Sequence, residues 1–249
     1  MTEISNSPSV DTIVGGYRKR AVLRVALIAA AALVLFITIV LDVITGPADL
    51  SFGRVAQVIL NPSVATTKEE VIIWDLRLPV AMMAVVVGAM LGVSGAELQT
   101  ILNNPLAEPF TLGLSMAASF GAAVAIVLGW SVLPGGGALF VTVNAFVFAM
   151  GASLLLFMVT RLRGANPETM ILMGIAMMFT FNALLAFLQY GASELQLAQL
   201  IFWQLGSLAR ATWPKVAICV VILAIVLPYF LSRSWALTAL RMGEDKAAA

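Results

Sequence analysis

Side chains able to make and break bonds are scarce in this chain. Its 249 residues include no histidine and one cysteine, Cys219. That removes imidazole as a base or metal ligand, and leaves no second thiol for a disulfide, a CxxC redox pair or a zinc site. There is no GxxxxGK[ST] phosphate loop, GxGxxG, HExxH or GxSxG, so ATP hydrolysis on this chain is not expected, and no catalytic or metal-ligating residue is assigned. Proton- and ion-coupled carriers usually bury charged groups within their spans, yet the acidic residue inside an apolar run here is Glu97, about one turn from the end of that run, where its carboxylate can reach water. The other polar residues inside apolar runs are neutral: Ser94, Gln99, Ser115, Asn144, Thr180 and Asn182. They either line a polar path, for which Ser94, Gln99, Thr180 and Asn182 are the candidates, or hydrogen-bond between helices, the commoner use.

The elements that must position these residues follow from composition. With 61% hydrophobic and 11% charged residues and a mean hydropathy of +1.01, the chain departs far from soluble domains, which carry roughly 45–50% apolar and about 25% charged residues. The solvent for that excess is a lipid bilayer. A net charge of +1 offers no basic surplus for nucleic acid. A spanning helix needs about 20 apolar residues, and six such runs are present: Ala21–Leu41, Pro79–Leu102, Phe110–Trp130, Ala138–Thr160, Thr169–Tyr190 and Val216–Leu231. The expected fold is all-α, a polytopic membrane helix bundle with about six transmembrane helices. A tail over 1–20 precedes a transmembrane domain over 21–232, with outer-face segments 42–78 and 191–215, and residues 233–249 follow it.

Lys and Arg set the orientation, because loops rich in them stay on the cytoplasmic side. A cytoplasmic N-terminus places nine of the 14 inside and leaves Arg54, Lys68, Arg77, Arg210 and Lys215 outside. Residues 51–60 and 194–208 repeat apolar residues at helical spacing and are expected to form short amphipathic helices on the outer face. Small residues recur every four positions at Ala84, Gly88, Gly92, Ala96 and again at Gly113, Ala117, Gly121, Ala125, a pattern that lets helix backbones approach closely.

The most informative segments are Asp75-Leu-Arg-Leu-Pro-Val80, Asn104-Pro-Leu-Ala-Glu-Pro109, Leu112-Gly-Leu-Ser115, Met173-Gly-Ile-Ala176, Trp203-Gln-Leu-Gly-Ser-Leu208 and Leu240-Arg-Met-Gly-Glu-Asp-Lys-Ala247. Together, and at these separations, they resemble the FecCD family, permease subunits of ABC importers for iron-siderophores, haem and cobalamin. The resemblance implies that Arg77 docks an extracytoplasmic substrate-binding protein; the family's second arginine is replaced by Val80. It implies that Asn104 and Leu106 belong to a cytoplasmic gate where two permease copies meet, in a homodimer or heterodimer. Pro105 and Pro109 stiffen that loop, since each removes an amide donor and restricts its predecessor. Met242, Gly243, Glu244 and Asp245 match the start of the segment that couples to the ATPase subunits. A further departure is Ala117-Ala118, where the family usually has Gly-Ala.

The function implied is a permease subunit of a type II ABC importer in the cytoplasmic membrane, carrying an iron-siderophore or related metal chelate. ATP and Mg would be bound by partner ATPase subunits, with no cofactor on this chain. A secondary carrier or channel, and a transport-inactive N-terminal fragment, are the alternatives. The family has about ten helices, so four and most of the coupling segment are expected beyond Ala249. On a Cys219→Ser background, a cysteine at residue 64 should react with an impermeant thiol reagent added outside and one at residue 165 should not; the reverse pattern overturns the orientation.

Overall fold

The computed structural model describes residues 10–45, 50–132, 137–164 and 166–241, with side chains described from residue 18 to 233 except residue 163. These residues form helices and no strand. The chain divides into two compact units, residues 1–82 and 83–249.

The first unit contains α1 (Val10–Ile44), α2 (Phe52–Leu60), a 3-10 turn (Pro62–Val64) and α3 (Thr67–Glu70), which runs on through a π-helical stretch (Val71–Arg77) into α4 (Leu78–Ile101). Ser51 caps α2, its Oγ accepting from the Arg54 amide at 3.3 Å. α2 turns Val55 and Val58 inward against Val43 of α1 and Ile73 of the π stretch. Thr66 and Glu69 form a reciprocal capping box that starts α3. Glu69 also ties α3 to α2: Arg54 donates to both its carboxylate oxygens, at 2.7 and 2.8 Å. Pro79 has no amide to give and its ring crowds the carbonyl four residues back; just upstream the ladder widens, and the Leu78 amide reaches Ile73 rather than Trp74.

The second unit begins within α4 and holds α5 (Leu114–Val127), α6 (Ala138–Arg163), α7 (Pro167–Tyr190), α8 (Glu194–Leu205), a 3-10 turn (Leu208–Arg210) and α9 (Trp213–Arg241). α5 is its centre. Ala117, Gly121, Ala122 and Ala123 are buried, and a Cβ added at Gly121 would stand 2.8 Å from both the Asn144 carbonyl oxygen and Phe148 Cβ of α6. Phe120 packs edge-on to Phe148 with ring centroids 5.4 Å apart, and against Phe181 of α7 at 5.9 Å. Asn144 is fully buried; its Oδ1 accepts from the Val132 amide at 2.9 Å and its Nδ2 donates to the carbonyls of Trp130 and Gly121 at 3.0 and 3.3 Å. Of the two uses left open for its amide, the structure selects bonding between elements.

Among the described residues, five helices are long and apolar enough to cross a membrane, in the stretches 18–44, 67–101, 138–162, 167–190 and 213–233, and α5 is a shorter apolar helix. The third apolar run therefore differs from its expected bounds of 110–130. Gly113, at φ +72°, takes a left-handed conformation before α5, and Leu128 ends it. The short helices expected over 51–60 and 194–208 are present as α2 and α8. The two small-residue stripes differ. That of α5 is packed, whereas Ala84, Gly88, Gly92 and Ala96 of α4 are all exposed, and a Cβ at Gly88 or Gly92 would meet nothing within 4 Å. Spacing establishes that a helix can approach closely, not which helix does.

Gly121→Val should therefore lower the detergent-solubilised thermal midpoint, since overpacking a tight contact costs about 1–3 kcal/mol. Gly88→Ala should leave it unchanged or raise it, by up to about 1 kcal/mol of helix propensity.

Candidate functional site

Among the described residues, no three His, Cys, Asp or Glu side chains gather where they could hold a metal. What the second unit offers is a stiff loop, residues 102–113, between α4 and α5. Asn103, at φ +45°, turns the chain out of α4, and the Asn104 amide closes back on the Gln99 carbonyl at 3.1 Å. Asn104 Oδ1 then accepts from the Leu106 amide at 2.9 Å, while its carbonyl accepts from the Ala107 amide at 3.1 Å. An Asx turn of this kind satisfies backbone donors without a helix or strand. Pro105 sits inside it, where its missing amide leaves nothing unpaired. Glu108 and Thr111 close the next turn, the Thr111 amide and hydroxyl both donating to the Glu108 carbonyl.

The loop has an inner and an outer face. Leu102, Ala107 and Leu112 are buried in one cluster with Ala117 of α5, Ala152 and Leu156 of α6 and Met177 of α7. Leu106 points the other way and is 81% exposed. The return of the loop lies backbone to backbone on α7: a Cβ at Gly113 would stand 2.8 Å from the Gly174 carbonyl oxygen and the Met178 nitrogen, and one at Gly174 would stand 2.9 Å from Leu112 Cα. The segments Leu112–Ser115 and Met173–Ala176, far apart in sequence, thus meet through their glycines. Gly174 carried a signal in the sequence, a glycine within a matched segment, but its contact did not. Beside the loop, Asn103 and Leu102 face Asn166, Pro167, Glu168 and Ile171 across a cleft of about 400 Å³.

The other candidate residues are placed as follows. Arg77, half-buried at the end of the π stretch, donates to the Val43 carbonyl in the last turn of α1; there it complements the negative end of that helix. Ser94 lines an open apolar groove of about 430 Å³ between α4 and α9, with Cys219 among its walls. Its hydroxyl turns back to the Met90 carbonyl at 2.8 Å, so it adds no free polar group to the groove. Thr180 likewise donates to Ala176 of its own helix at 2.8 Å; Thr180, Asn182 and Gln99 are exposed. Glu97 is half-buried, with its Oε2 buried and without a hydrogen-bond partner. Met242, Gly243, Glu244 and Asp245 lie outside the described residues.

The loop holds an apolar side chain, Leu106, outward on a rigid support.

The FecCD transport family matches residues 11–249. A protein of Methanocaldococcus jannaschii described as an ABC transporter permease is 35% identical over 224 residues, covering 86% of this chain and 64% of its own length. The molybdate import system permease protein MolB of Haemophilus influenzae is 32% identical over 221 residues, 87% of this chain and 64% of MolB. The vitamin B12 import system permease protein BtuC of Klebsiella pneumoniae is 32% identical over 184 residues, 73% of this chain and 54% of BtuC. The chain thus spans less than two thirds of the length of each of these relatives. A solved structure described as an inward-facing conformation of a metal-chelate type ABC transporter superposes with a TM-score of 0.73 at 29% identity, covering 90% of this chain and 67% of that one. With a family match over nearly its whole length, the chain belongs to the FecCD transport family.

Proposed function

We propose that this chain is the membrane permease subunit of an ABC importer in the cytoplasmic membrane, moving an iron-siderophore or related metal chelate, with ATP hydrolysed on separate subunits. The observation that carries this reading is the family match over residues 11–249, joined to the geometry of the loop after α4. In it, Leu106 occludes the inner end of the path where two permease copies meet, and Asn104 holds the turn that presents it. Arg77 contributes positive charge to docking of a substrate-binding protein, and residues 242–245 begin the contact with the ATPase. Relatives named for vitamin B12 and molybdate import and a structural neighbour of metal-chelate type support a metal-containing cargo of variable size. The selectivity is then assigned to the binding protein.

The test is uptake into liposomes by the full complex with its ATPase and binding protein. ATP-dependent accumulation of a ferric siderophore supports the reading; accumulation that persists without ATP refutes it. Within that complex, Leu106→Ala should raise passive leak in the nucleotide-free state at normal expression, and Asn104→Ala should do the same more weakly, because it loosens the turn without shortening the side chain. Unchanged leak in both removes the loop from the gate.

Arg77→Glu should weaken capture of the binding protein in a pull-down by roughly fivefold, since one partly exposed charge contact is worth about 1 kcal/mol. Arg210→Glu, outside the matched segments, should do less. The opposite ranking overturns the docking assignment.

A further inference from the structure

Gln196, on the first turn of α8, caps two helices at once. Its Oε1 accepts from the Ser193 amide at 3.0 Å and the Ser193 hydroxyl at 3.1 Å, while the Gln196 amide donates to Ser193 Oγ at 3.4 Å, the reciprocal capping box of α8. Its Nε2 reaches the last turn of α5 and donates to the carbonyls of Ile126 and Val127 at 3.3 and 3.2 Å. The orientation of the amide is fixed by its partners: the Ser193 N–H can only donate and the two carbonyls can only accept, so oxygen faces α8 and nitrogen faces α5. Among the last four carbonyls of α5, Val124 is taken by the Leu128 amide and the two beyond Ala125 by Gln196. A 14-residue helix rises about 21 Å, short of a hydrocarbon layer roughly 30 Å thick, so such carbonyls need donors from the protein.

Besides Gln196, α8 is held by one buried apolar anchor, with Leu197 and Trp203 half-buried. Its buried residue is Leu200, which packs with Ala123 of α5 and Leu185 of α7. Leu195, Ile201, Phe202 and Leu205 are exposed. The helix is joined to α7 by the short turn after Tyr190 and is followed by Gly206 at φ +72°, so both its ends lie at changes of chain direction.

We propose that α8 is a strap closed over the C-terminal end of α5, with Gln196 as its latch, and that breaking the Nε2 bonds releases the strap and uncovers Ala123 and Leu185. The inference rests on this geometry and not on the transport reading.

Glutamate separates the two caps, because it keeps the oxygen that serves Ser193 but sets an anion against two carbonyl oxygens; protonation returns one donor. In the membrane-embedded chain with Cys219→Ser and Leu185→Cys, labelling is followed with dithiodipyridine, which reacts with thiols in acid as well as alkali. Rates are taken relative to Tyr190→Cys, an exposed position. Two lost hydrogen bonds should raise labelling roughly tenfold or more in Gln196→Glu near pH 8. Shielding should return as the pH falls toward about 4, because a carboxylate facing two carbonyl oxygens takes up its proton above the ordinary glutamate value of about 4.3, a recovery a misfolded variant would not show. Ser193→Ala, which breaks the α8 cap alone, should stay within about twofold of the parent. α5 has no ionisable side chain and α7 brings Tyr190 to this end; Glu194 of α8 is present in every variant, so the acid dependence belongs to residue 196. Ala123→Cys repeats the measurement from α5. Equal exposure in Ser193→Ala and Gln196→Glu, unchanged labelling in Gln196→Glu, or exposure there that acid does not reverse, would each overturn the proposal.

Discussion

In apolar surroundings every backbone amide and carbonyl must find its partner in the protein, and the second unit is arranged around one helix for which this is hard. α5 is too short for both its ends to reach water across a bilayer. Its start is closed by the Ala117 amide on the Gly113 carbonyl, and its end by side chains from elsewhere: Gln196 on Ile126 and Val127, Asn144 on Trp130 and Val132. Asn144 reaches it because glycine lets a neighbouring backbone come close. Gly121 admits α6, and Gly113 with Gly174 admits α7. Burial of small residues and satisfaction of polar groups are here one requirement met by the same positions.

The first unit meets the same requirement with charge. Arg54 donates to Glu69, to Gln57 Oε1 at 3.2 Å and to the Val64 carbonyl at 3.0 Å, closing α2, the 3-10 turn and α3 on themselves. The side chains of this ion pair remain 32% and 14% exposed, so its value lies in fixing several elements with one planar group more than in Coulomb energy, which solvent screens. Arg77 performs a similar task at the end of α1. An arginine that the resemblance assigns to docking is thereby also a cap, and its orientation is set before any partner arrives.

The long spans were legible because an unbroken apolar run has few other uses, and α2 and α8 because their apolar residues recur at helical spacing. The limits of α5 were not. Leu112, Gly113 and Leu114 continue the apolar run through a loop, and what starts the helix is a left-handed glycine lying on Gly174, a contact no local pattern encodes. The α4 stripe has the same spacing as that of α5 and yet stands exposed, since spacing describes one surface and packing needs two. The π stretch left one trace, Pro79. The Ser193–Gln196 spacing of a capping box was readable, but the second role of Gln196 depends on where α5 ends. The motif segments located the loop after α4; its buried underside became visible only with α6 and α7 in place.

That underside constrains how the loop could serve a gate on the proposed reading. Leu102, Ala107 and Leu112 anchor it, Asn104 satisfies its amides internally, and Gly113 binds its return to α7. A loop so fixed does not open by refolding, because each step outward would strand backbone groups or expose buried leucines. Moving Leu106 out of a path therefore requires moving the helices that carry the loop. Contact at Gly113 and Gly174 is too close for α5 and α7 to slide past one another without collision between backbone atoms. Whatever displaces α7 must then carry the loop and α5 with it, which makes Leu106 a rigid extension of the helix pair rather than a flap.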